Sequence, residues 1–102
     1  MAILVLCALL CSSLAGCLNV GKPFPTERVQ SIEIGETTRD DLREMFGEPW
    51  RVGLENGEHT WTWGDYHYSA FGAATTRDLV VRFDERGAVS SYSFNSTFPE
   101  DL

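Results

Sequence analysis

His59 and His67 are the two histidines of the chain, and with Asp65 they form the one cluster that could be imagined around a metal ion. Their spacing is not that of a known ligand set, and two histidines near opposite ends of one strand read as surface residues. Paired acids stand at Asp40-Asp41 and Asp84-Glu85. General acid–base work would need a buried carboxyl, whereas one pair suits a helix start and the other a turn. Serine, histidine and aspartate all occur, but without a nucleophile elbow or a triad frame. No glycine-rich phosphate loop is present. The expectation is a protein with no catalytic residue, no metal, no cofactor and no small-molecule substrate.

A different chemistry attaches to the cysteines, which are Cys7, Cys11 and Cys17. With none after Cys17, a disulfide framework, a cysteine metal cluster and a thiol nucleophile are excluded from the folded part. Ala2 to Leu10 is an apolar run too short to span a bilayer, and small residues follow it. Leu14, Ala15, Gly16 and Cys17 resemble the lipobox of bacterial lipoproteins. That resemblance implies cleavage before Cys17 and acylation of its sulfur and amine with chains such as palmitate. Leu18 follows it rather than an aspartate, which by the same resemblance points to the outer membrane, facing the periplasm. The n-region lacks its usual lysine or arginine. Either the amino terminus supplies the only positive charge, or the true start lies upstream of Met1.

The composition is that of a globular chain, with 43% hydrophobic and 23% charged residues in 102 positions, room for one domain. Fifteen acids against eight bases leave a net charge of −7. Phosphate contact needs a basic face, so nucleic acid is excluded as a partner.

The elements follow from pattern. Thr37 or Thr38 caps a helix over residues 38–46, with Asp40 and Asp41 in its first turn, Leu42, Met45 and Phe46 on one stripe and Arg39, Arg43 and Glu44 on the wet side. Gly47 and Pro49 end it. Pro25 to Ile32 reads as an earlier short helix, with a strand over Val29 to Ile34 as the competing reading. Asn56-Gly57 marks a type I′ hairpin. The following arm alternates rings with small residues, and a bulge at Gly64-Asp65 would bring Trp61, Trp63, Tyr66 and Tyr68 to one face. Ser69 to Thr76 reads as a flexible loop, Leu79 to Phe83 and Val89 to Phe94 as strands. The expected fold is α+β, with two short N-terminal helices packed on one face of a three- to four-stranded antiparallel sheet. Residues 1–16 would be the removed leader, 17–24 a lipidated tether without structure, 25–95 the domain and 96–102 a loose tail.

In order, Val29, Ile32, Gly35, Thr38, Leu42, Phe46-Gly47, Pro49, Trp61, Trp63, Leu79, Val81, Phe83, Gly87 and Val89 resemble the SmpA/OmlA (BamE-like) family of outer-membrane lipoproteins. The resemblance implies a non-catalytic accessory subunit of the barrel-assembly machinery that docks on a protein partner beside the bilayer. Only Leu18 to Phe24 stands where the family's best-known member has a longer partner-contacting segment. The partner is thus left open, a paralogue with another envelope role included. The aromatic residues carry two readings. Trp61, Trp63, Tyr66 and Tyr68 could cover the helices as core, or they could join Phe71 and Tyr92 in a partner-binding surface. The alternative function is a periplasmic inhibitor or sensor that binds a protein through its sheet face, with Tyr66, Tyr68 and Tyr92 as an open aromatic patch.

Overall fold

Alternating large and small side chains after the Asn56-Gly57 turn form one long strand, and the other strands are laid along it. In the computed structural model, which describes residues 18–102, this strand β3 spans Glu58–Tyr68. The leader, the Leu14-Ala15-Gly16 box and Cys17 lie outside the described residues. β4 (Ala74–Phe83) pairs with one edge of β3, and β5 (Val89–Ser96) pairs with β4. The opposite edge of β3 is shared by two short strands. β2 (Arg51–Glu55) pairs with its first half and β1 (Leu18–Gly21) with its last residues, all antiparallel.

Two helices on a three- to four-stranded sheet therefore do not form. The protein is mostly antiparallel sheet, five strands with a single α-helix among the described residues, α1 (Arg39–Phe46). The stretch read as a first helix is a 3₁₀ segment, Thr26–Ser31. Its Pro25 cap is extended and offers no side-chain hydrogen bond, and six residues with a β-branched valine are too few to propagate α-helix. Val29 and Ile32 are nevertheless buried, so this segment serves the core as a tight turn. Two further stretches are ordered where the sequence suggested none. Leu18–Gly21 is β1 rather than a structureless tether, and Ala74 to Thr76 extend β4 into the expected loop.

No bulge occurs at Gly64-Asp65, because the β3–β4 register runs unbroken from Thr60 opposite Arg82 to Tyr68 opposite Ala74. Side chains of an unbroken strand alternate faces. Trp61 and Trp63 therefore point to the helix side, and Tyr66 and Tyr68 to the other. The glycine has another reason. A Cβ on Gly64 would run into Cε2 of Tyr66, whose ring folds back over the strand. From β1, a Cβ on Gly21 would collide with the Gly64 carbonyl oxygen, and Gly21 itself has φ +78°.

α1 lies over the helix-side face. Thr38 accepts from the Asp41 N–H at 3.3 Å while the Asp41 carboxylate accepts from the Thr38 N–H at 3.0 Å, a complete capping box. Leu42 and Phe46 bury against Trp61, Trp63, Leu79, Val81, Phe83 and Val89, and Phe24, Met45, Tyr92 and Phe94 close the margin of this core. The Trp63 indole N–H donates to the Gly47 carbonyl at the helix end, 3.0 Å away. The other end of the helix is stitched to β5, since the Val89 N–H donates to the Thr37 carbonyl at 2.9 Å and the Gly35 N–H to the Val89 carbonyl at 2.8 Å. After β5 a 3₁₀ turn, Pro99–Asp101, is pinned by Arg77, which donates to both Asp101 oxygens at 2.6 and 3.3 Å and lies over the Phe98 ring. Residues 96–102 are thus held to the sheet rather than loose.

Candidate functional site

The six aromatic residues that the sequence offers as a partner surface are distributed over three places. Trp61 and Trp63 are core, 8% and 2% exposed. Tyr92 lies opposite Val81 on the helix side, half-buried against the same core. Tyr66 and Tyr68 occupy the back of the sheet, where Tyr66 meets Trp50 edge-on with ring centroids 5.8 Å apart. Phe71 stands alone at the β3–β4 turn. Tyr66, Tyr68 and Tyr92 therefore make no common patch, and the inhibitor reading loses the feature that would have favoured it.

A different surface is assembled around the edge of Trp61. α1 covers only part of the helix-side face and leaves the β2 flank open. Val52 and Leu54, opposite Trp61 and His59 in register, are exposed there. Arg39 and Arg43, one turn apart on α1, both lay their guanidinium groups over this flank. Arg43 sits 4.7 Å from the Trp61 ring centre, and Arg39 sits 5.1 Å from Phe83 and 6.0 Å from Trp61. The Arg39 Nε is buried without a hydrogen-bond partner. Arg39, Arg43, Val52 and Trp61 line, with Thr38, Asp40, His59, Arg86 and Gly87, an open groove of about 610 Å³.

The charge along the groove changes sign. Its cationic end holds Arg39, Arg43 and Arg86. Past His59 it meets a second depression walled by Glu58, Asp84 and Glu85 beside the Asn56-Gly57 turn. Local pairs moderate both ends: Arg43 contacts Asp40 and Glu48 at 3.3 Å each, and Arg86 contacts Asp84 at 3.4 Å. The Asp84 carboxyl is held below the usual carboxylate range, first by the Ala88 N–H and then by the Arg86 N–H and guanidinium. An apolar floor with cations at one end and carboxylates at the other suits a polypeptide segment of alternating charge.

Sequence reasoning missed this surface because Arg39 and Arg43 read as the wet side of an amphipathic helix. Their i, i+4 spacing was visible; that a tryptophan edge would lie beneath them depends on β3 passing under α1. The paired acids have structural duties, Asp41 in the capping box and Asp84 accepting from the N–H groups of Arg86 and Ala88. His67 bridges Asn19 Oδ1 at 2.6 Å and Asp65 Oδ1 at 2.9 Å, while His59 lies at the groove 8 residues away. Among the described residues no group of three or more metal-ligating side chains converges, and no helix is long and apolar enough to cross a membrane. Comparison with known proteins returns no matching family model and no matching curated protein.

Proposed function

We infer that the protein is a lipid-anchored, non-catalytic binding module of the bacterial envelope. It faces the periplasm from the outer membrane and serves outer-membrane protein assembly or envelope integrity through a protein partner. The observation that carries this reading is the sequence box at Cys17. The Leu14-Ala15-Gly16-Cys17 box directly precedes the described residues, whose first strand is Leu18–Gly21. An acyl group on Cys17 would hold the sheet within a residue of the bilayer, and two or more chains satisfy the requirement for stable anchoring. The groove beside Trp61 is the surface offered to the partner. Its cationic end takes carboxylates and its acidic end takes lysine or arginine.

Metabolic labelling with a palmitate analogue tests the anchor, with strong label on the wild type and none on Cys17→Ser. Equal label on both overturns the reading. Pull-down of the tagged, lipidated protein from solubilised envelopes tests the groove. Arg43→Glu with Arg86→Glu should lose the partner that the wild type recovers, and undiminished recovery removes the groove from the interface.

A further inference from the structure

Phe71 is 97% exposed, which leaves a phenyl ring with no packing partner among the described residues. It does not project from a slack loop. The Ser69 N–H donates to the Ala73 carbonyl and the Gly72 N–H to the Ser69 carbonyl, both at 3.1 Å, and the Phe71 N–H donates to the Ser69 hydroxyl at 3.2 Å. Three of the turn's backbone donors are thus bonded within it, and the ring is presented outward. From Tyr68 to Thr76 there is no charged residue, in a chain of net charge −7. An uncharged tip with an exposed aromatic ring and several internally bonded donors is the kind of protein surface that can enter a lipid headgroup region at low cost.

The register of β1 supplies the location. Leu18 lies opposite Tyr68, and Tyr68 lies opposite Ala74, so β1 begins at the end of the sheet where the β3–β4 turn projects. Leu18 and Tyr68 are themselves 60% and 42% exposed. Cys17 is one peptide unit from Leu18, so the anchor leaves the domain on the order of 15 Å from Phe71. We propose that the Phe71 turn is a second membrane contact: the ring inserts into the bilayer that holds the Cys17 acyl chains, with Leu18 and Tyr68 at the headgroup level. This rests on the anchor reading above. It also fixes the direction of the domain, with the Asn56-Gly57 turn and the groove at the far end of β3, away from the lipid.

The test uses the lipidated protein in vesicles of phosphatidylethanolamine and phosphatidylglycerol. On the anchor reading, Cys7 and Cys11 leave with the leader and Cys17 is acylated, so a thiol-reactive, polarity-sensitive dye reports one site. Phe71→Cys carries it at the turn, and Asn56→Cys carries it at the far end. The expected result is flotation of both proteins with the vesicles. The dye at 71 should show blue-shifted emission, quenched by nitroxide lipids, and the dye at 56 should show neither effect. Flotation with the two dyes behaving alike overturns the second contact and leaves the anchor standing. Failure of both proteins to float overturns the anchor and the contact with it. A blue shift at 71 that requires added envelope protein assigns Phe71 to a protein partner and overturns the lipid contact.

Discussion

Replacing Trp63 by phenylalanine separates the two readings of the aromatic strand. Trp63 is 2% exposed, its ring lies 5.5 Å from Phe46 and 6.0 Å from Trp61, and its N–H holds the Gly47 carbonyl at 3.0 Å. A phenyl ring in its place would lose that hydrogen bond, worth about 1 kcal/mol. It would also forgo roughly 40 Å² of buried ring at about 25 cal/mol per Å², or about 1 kcal/mol, plus a partly collapsed cavity worth about 0.5 kcal/mol. The total is about 2–3 kcal/mol, a fall in Tm of roughly 10–20 °C for a domain of this size. The comparator is Trp50→Phe on the back of the sheet. Trp50 is 40% exposed and meets the Tyr66 edge and the Arg51 guanidinium, so its loss should stay below about 1 kcal/mol. Urea titrations followed by far-ultraviolet circular dichroism read both. A Trp63→Phe protein within about 0.5 kcal/mol of wild type, or one less affected than Trp50→Phe, would refute the assignment of Trp63 to the core.

Gly64→Ala should cost about 1–3 kcal/mol by driving a methyl into the Tyr66 ring, and Tyr66→Ser in the same chain should recover most of it in the same titration. Asn56→Ala should cost about 1 kcal/mol, because the hairpin holds Asn56 at φ 51° beside Gly57 at φ 84°. The Asp101 carboxyl is held below its ordinary value, first by Arg77 and then by the Ser96 hydroxyl. Its folded pKa is depressed, so its contribution is present above the unfolded value near 4 and is lost as pH falls through the folded one. Asp101→Asn should therefore flatten the acid limb of a stability–pH curve below about pH 4, and an unchanged limb would contradict the pairing. Burial, and after it Asp78, raises the Tyr66 phenol above its ordinary value near 10. An alkaline absorbance titration should lose a phenol step above that ordinary value in Tyr66→Phe.

Local signals were the legible ones. Thr38, Asp41 and Gly47 define α1 to within a residue, and Asn56-Gly57 places the hairpin, because each works through bonds to near neighbours. The fold class was misread where a long-range partner decides the outcome. Pro25 to Ser31 has helical punctuation, yet burial of Val29 and Ile32 is met by a 3₁₀ segment. Leu18 to Gly21 carries no strand signal of its own length; it becomes β1 because β3 is long enough to offer a second partner on an edge already used by β2. The change of ring parity after Trp63 was plain in the sequence. A bulge and a face-switch both explain it, and only the unbroken β3–β4 register chooses the second. The same ambiguity hid the groove. Arginines on a helix with no known neighbour read as solvent-facing, and the edge beneath them belongs to Trp61, 18 residues past Arg43 on another element.

β3 relates the two proposed surfaces. Its C-terminal end carries β1 and the Phe71 turn, and its N-terminal half carries Trp61 and His59 at the groove. The rise along an extended strand puts Trp61 on the order of 20–25 Å from Tyr68. Sheet order fixes that span, because the two halves of β3 are bound to the same β4, and neither end can move without breaking shared ladder bonds. On the proposed anchoring at Cys17, a partner that reaches the groove would meet it at a set height above the bilayer, beyond about one Debye length from anionic headgroups at physiological salt. The charges of Arg39, Arg43 and Arg86 would then be screened from the lipid and free to select a protein. Shortening β3 by paired deletion of His67 and Thr75, which lie opposite each other between Trp61 and the Phe71 turn, would flip the parity of the Trp61 face as well as lower the groove. On that proposal, anchor height and groove identity would be coupled in one strand.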